Sequence, residues 1–136
     1  MNALKPLHFI GSSKRDLTGF PTAIRKEAGF ALYLAQMGDK SVGAYPMVGF
    51  GGASVLEVVM TDDGRAFRAV YTVRFKKAIY VLHAFEKKSK KGIGTPQTDM
   101  NLIRRRLKTA EEHYVRYYEQ KAKEQQKQEQ KHGRAS

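Results

Sequence analysis

Between Pro21 and Met37 the apolar positions fall three and four residues apart. Ile24, Ala28, Ala31, Leu32 and Ala35 share one face, which predicts an amphipathic helix from 21 to about 37. Pro21 suits its first position and Gly38 its end. The small alanines imply close approach to a sheet or to another helix. Near the other end of the chain Met100, Ile103, Leu107, Ala110, Tyr114 and Tyr117 obey the same spacing, with Arg104, Arg105, Lys108 and Glu112 opposite. Thr95 and Pro96 read as the cap and first residue of that helix.

Between the two helices the period changes to two. Ser54–Thr61 reads as a strand, and Asp62-Asp63-Gly64 as a tight turn in which Gly64 supplies a positive φ. In the next strand, Arg65–Arg74, Phe67, Ala69, Tyr71 and Val73 fall on one face. Arg68, Val70, Thr72 and Arg74 fall on the other. Lys76-Lys77 makes a second turn and Ala78–Phe85 a third strand, so these segments form an antiparallel meander.

Residues 5–10 predict a short first strand. Ser12 or Ser13 then caps a short helix, with Asp16 in capping-box-like spacing after Ser13, before Gly19, Phe20 and Pro21 interrupt it. Residues 38–54, rich in glycine, read as a loop. Gly49-Phe50-Gly51-Gly52 lacks the Lys-Ser/Thr of a nucleotide-binding loop and precedes a strand, so it reads as an entry to the sheet. The order β–α–α–β–β–β–α predicts an α+β domain over residues 1–118, with two N-terminal helices, a small antiparallel sheet and a C-terminal helix. Residues 119–136, mostly Lys, Gln and Glu with almost nothing apolar, predict a polar tail, disordered or a frayed helix. Helices on one sheet face would leave much of the other open, and arginines on that open face would make a site.

Composition narrows the chemistry. The 136 residues suffice for one compact domain, and 41% hydrophobic content supports a core. The chain has 25 Lys and Arg against 13 Asp and Glu, a formal net charge of +12. Such a field favours polyanionic partners, nucleic acid first and an acidic protein second. With no cysteine, disulfides and thiolate metal sites are excluded. The absence of a signal-peptide pattern or a membrane-length apolar run leads to the expectation of a cytoplasmic protein.

No Ser-His-Asp set and no His-Glu-x-x-His metal motif is present. His8, His83, His113 and His132 are scattered along the chain. Glu57, the one acidic residue inside a predicted strand, reads as an exposed position. What remains is basic and aromatic, concentrated in the hairpin and the loop Lys87–Gly94 that follows it. Arg68 and Arg74 on one strand face, with Lys87, Lys88, Lys90 and Lys91 beyond the next strand, can hold phosphates and stabilise a phosphorane-like transition state. A crowded lysine can exchange protons with a ribose hydroxyl or a leaving oxygen. An aromatic ring beside them can stack on a splayed base. Tyr71 is placed in that RNA-binding set with Arg74, Lys90 and Lys91, although Tyr71 and Phe85 also read as core.

Several segments in order resemble the RelE/HigB toxin superfamily, most closely its phage-related, HigB-like branch. They are Lys14-Arg15-Asp16-Leu17 with Phe20-Pro21, Gly49-Phe50-Gly51-Gly52 leading to Val55-Leu56-Glu57-Val58, Phe67-Arg68-Ala69-Val70-Tyr71, and Val81-Leu82-His83-Ala84-Phe85 with Lys87-Lys88-Ser89. The match covers about residues 8–118. The resemblance implies a type II toxin that is a metal-free, cofactor-free, ribosome-dependent mRNA endonuclease, activating a 2′-hydroxyl to attack the adjacent phosphate. It implies a helix-turn-helix antitoxin as partner, besides mRNA and the ribosome. It assigns catalytic roles to Arg68, Lys87, Lys88 and His83. The family's usual arginine soon after the Glu is missing beyond Glu57, and Tyr114, Tyr117 and Tyr118 are the candidates for its C-terminal tyrosine. A gyrase-inhibiting toxin like ParE, or an inactive module that binds nucleic acid and a partner, are the alternative expectations.

Overall fold

The computed structural model describes residues 3–87 and 94–134. In chain order the elements are β1 (Leu7–Phe9), α1 (Ser13–Thr18), α2 (Thr22–Gln36), β2 (Ala44–Pro46), β3 (Val55–Asp62), β4 (Arg65–Thr72), β5 (Ile79–Lys87) and α3 (Gln97–Tyr114). A π-helical stretch, Val115–Gln120, then leads into α4, Lys121–Arg134. The five strands form one sheet in the order β1-β5-β4-β3-β2. This is the expected α+β architecture. Two details are added: β1 runs parallel to β5, and a short β2 from the glycine-rich loop pairs antiparallel with β3.

The β3–β4 hairpin closes through Asp63 and Gly64, whose φ values are 50° and 76°. Positive φ at both central residues matches the right-handed twist of the strands and fixes the register, Asp62 opposite Arg65 and Val55 opposite Thr72. Between β4 and β5 the register slips once. Val70 pairs with His83 and Tyr71 with Val81, so Leu82 is an extra residue on β5.

Hydrophobic residues bury on both faces of the sheet. On one face Leu17 of α1 and Ile24, Ala28, Ala31, Leu32 and Ala35 of α2 pack over Leu56, Val58, Phe67, Ala69 and Tyr71. On the other, Ile103, Leu107, Ala110 and Tyr114 of α3 pack over Val55, Val70, Tyr80 and Leu82. The expected open face is therefore closed over most of its length by α3. Tyr117, assigned to the buried stripe, is exposed, because the helix widens into its π stretch at Val115. The helix ends also differ from expectation. Pro21 and Pro96 occupy the cap positions themselves, Ser12 Oγ bonds Asp16, and Ser13 Oγ donates to the carbonyl of Val81. No helix among the described residues is long and apolar enough to cross a membrane.

Candidate functional site

The buried stripe of α3 begins at Ile103, so the first turn of that helix flanks the sheet without sealing it. There β2, β3, β4 and the start of α3 enclose a cleft of about 500 Å³ lined by Pro46, Met47, Val48, Glu57, Arg68, Gly94, Thr95 and Met100. The hairpin register builds its floor. Arg68 lies opposite Val59 and Glu57 opposite Val70, so Arg68 and Glu57 are diagonal neighbours on one face. Arg68 Nη1 donates to Glu57 Oε2 at 3.1 Å and to Thr95 Oγ1 at 3.0 Å, and Thr95 Oγ1 donates to the same carboxylate oxygen at 3.1 Å.

Both charged side chains are nearly out of solvent, 11% exposed for Arg68 and 16% for Glu57. Charges at such a site are costly unless paired, and each partner offsets the desolvation of the other. Arg68 Nε is buried with no hydrogen-bond partner among the described residues. A guanidinium with an unspent donor can hold an anion, and the carboxylate beside it can accept a proton from a bound hydroxyl.

Arg68, a site candidate of the sequence reading, thus lines the cleft. Glu57 corrects that reading: it is not an exposed strand position but half of the ion pair. Thr95 was read as a helix cap. Its hydroxyl instead belongs to the pair, and α3 starts with no side-chain cap. The clue to both was an acidic residue among apolar strand neighbours, which needs a cationic partner on the same face.

Lys87 ends β5 opposite Ala66 and is half-buried. By strand alternation it shares a face with Phe85, which lies opposite Arg68. Lys88, Lys90 and Lys91 lie outside the described residues. His83 is 7% exposed and does not line the cleft. Its Nε2 donates to Asp99 Oδ1 at 2.7 Å, its ring stacks on Phe85, and Arg106 Nη1 comes to 3.5 Å of its Nδ1. Arg106 also donates to the carbonyl of Leu82 and to Ser12 Oγ. This network ties the first half of α3 to β5 and α1, and so fixes Thr95, four residues before Asp99.

Two further candidates stand apart from the cleft. Tyr71 is fully buried on the α1–α2 face, where desolvation pushes its hydroxyl up to about 12. Its ring cannot stack on RNA. Arg74 does not share the strand face of Arg68, because β4 ends at Thr72, whose hydroxyl accepts the backbone N–H of Arg74. The Arg74 guanidinium turns to Glu111 of α3 at 2.6 Å and to Ser54 Oγ, so its charge is already partnered.

A second polar cluster was invisible in the sequence. His8 Nε2 shares a 2.5 Å hydrogen bond with the Tyr118 hydroxyl, and Tyr80 shares one of 2.6 Å with His113 Nδ1. The two histidine rings are 4.8 Å apart. Burial first, and His113 second, hold His8 below its ordinary value; burial pushes Tyr80 and Tyr118 up. Tyr114 is buried and its hydroxyl receives the N–H of Lys77. All three C-terminal tyrosine candidates lie at the far end of α3 or in the π-helical stretch beyond it, on the order of 25 Å along the helix from the cleft.

A model of the family described as phage derived protein Gp49-like (DUF891) matches residues 15–108. No curated protein and no solved structure matches the chain. The matched span contains the whole cleft.

Proposed function

The chain belongs to the phage-derived Gp49-like family, which is associated with toxins of toxin–antitoxin systems and implies an antitoxin partner, and on that premise we propose that it is an mRNA endonuclease of a type II pair. The observation that carries the reading is the Arg68–Glu57–Thr95 cluster in an open cleft of a strongly basic protein. The substrate is messenger RNA on the ribosome, and the antitoxin is a helix-turn-helix protein.

In this reading the scissile phosphate displaces Arg68 from its pair. The freed Glu57 carboxylate takes the proton of the adjacent 2′-hydroxyl. The 2′-oxygen then bonds to phosphorus while the bond to the 5′-oxygen breaks, leaving a 2′,3′-cyclic phosphate and a 5′-hydroxyl. Arg68 stabilises the charge that develops on the equatorial oxygens. Lys87 supplies the proton to the leaving 5′-oxygen, and Lys88, Lys90 and Lys91 hold flanking phosphates. His83 acts through Asp99 as a positioning residue for the start of α3. No step calls for a metal ion or an organic cofactor.

The same pair favours a second reading. Arg68 spends Nη1 on Glu57 and Thr95, which suits a module that binds nucleic acid and antitoxin without cutting. Incubation of the full chain with messenger RNA, with and without ribosomes, followed by mapping of 5′ ends separates the two. New 5′-hydroxyl ends that vanish with Arg68→Ala and Glu57→Gln are expected. Intact transcripts under both conditions would sink the endonuclease reading.

A further inference from the structure

One face of α2 is built into the core; the other carries an apolar stripe that nothing among the described residues covers. Phe30, Tyr33 and Met37 are 60%, 45% and 54% exposed and fall three and four residues apart. Leu4, 46% exposed, joins the end of the stripe. It is held there because the backbone N–H of Lys5 donates to the carbonyl of Gln36, and Gln36 Nε2 donates back to the carbonyl of Lys5. Monomeric proteins seldom leave aromatic and thioether side chains grouped in this way without a partner.

Gly29 gives an independent sign. It lies in the middle of α2, one residue before Phe30 and one turn before Tyr33, and is exposed. A glycine there weakens the helix relative to alanine. The fold does not require it: its φ is not positive, and a Cβ built on it would meet nothing within 4 Å. A glycine with no internal reason beside an exposed apolar stripe suits a second backbone crossing close over the helix.

We propose that this face of α2 seats the antitoxin, receiving the apolar side of an acidic amphipathic helix that crosses at Gly29. Charge selects the occupant. Lys26 lies within the stripe, Lys5 borders it, and the chain carries +12. An acidic helix complements that field. A second copy of this chain would set Lys26 and the whole positive charge against itself. The proposal rests on the antitoxin partner that family membership implies, and not on the chemistry of the cleft.

The test uses the full chain and, as probe, the protein encoded by the adjacent reading frame, both made in a cell-free system and titrated by calorimetry. Phe30→Glu is expected to weaken binding at least about 30-fold, the loss typical of an aromatic anchor. Gly29→Ala is expected to weaken binding while raising the thermal midpoint by roughly 2–5 °C. A merely structural glycine would move both in the same direction. Three results would overturn the proposal: equal affinity for native and Phe30→Glu chains, no complex with the probe, or concentration-dependent self-association abolished by Phe30→Glu. Because affinity is read directly, the outcome is independent of whether the chain cuts RNA.

Discussion

Glu57 and Arg68 stand diagonally across the β3–β4 ladder with carboxylate and guanidinium 3.1 Å apart, nearly excluded from water, at the bottom of the cleft. Removing one partner strands the other charge. Glu57→Ala is therefore expected to cost about 2–4 kcal/mol of stability, and the double variant Glu57→Ala/Arg68→Met less than Glu57→Ala alone. Urea unfolding of the four chains of this cycle measures it. A double variant less stable than either single one would contradict the pairing. In the cleavage assay Arg68→Ala is expected to lower the rate by roughly 100-fold or more.

Thr95 links the pair to α3. Thr95→Ser keeps the hydroxyl and should retain stability and cleavage. Thr95→Val removes one donor and acceptor beside the buried carboxylate and should cost about 1–2 kcal/mol. If its hydroxyl served only as a helix cap, the two substitutions would leave the ionic cluster and the cleavage rate alike unchanged, and rate measurements on both variants decide the matter.

Tyr71 carries a buried hydroxyl with no partner among the described residues. Tyr71→Phe is expected to leave stability unchanged or raise it by about 1 kcal/mol, and to leave RNA affinity unchanged. Denaturant midpoints and RNA titrations test it. A clear loss of RNA affinity with an intact fold would mean that the hydroxyl reaches the RNA, which its burial denies.

His8 gives the fold a pH dependence. Burial and the neighbouring His113 favour its neutral form, so its folded value lies below the ordinary 6.5. The unfolded chain then binds the proton more readily. The sign follows: stability is independent of this group above about pH 6.5 and falls as pH drops from there through the lowered value. His8→Phe should flatten that part of the curve. Unfolding midpoints from about pH 7.5 to about pH 5 check the slope, and an unchanged slope in the variant would assign it elsewhere.

The local parts of the fold were legible. The spacing of Ile24, Ala28, Ala31, Leu32 and Ala35 named the buried face of α2, and Ile103, Leu107, Ala110 and Tyr114 that of α3. Asp63-Gly64 named the hairpin turn, and strand alternation put Arg68 opposite the face of Phe67 and Tyr71. These signals survive in sequence because helix and strand periods, and the φ of a two-residue turn, are set by neighbours in the chain. Only the tertiary structure decided the rest. The bulge at Leu82 and the docking of α3 put Tyr80 and His83 on the same face, which strict alternation would separate. The end of β4 at Thr72 sent Arg74 to Glu111, and the arrival of α3 brought Thr95 to Glu57. Each of these depends on register and on contacts between segments far apart in sequence, where a shift of one residue changes the face that a side chain occupies. The basic, aromatic hairpin was thus written in the sequence; that its arginine would meet a carboxylate and a threonine hydroxyl in a cleft was decided by how α3 packs on the sheet.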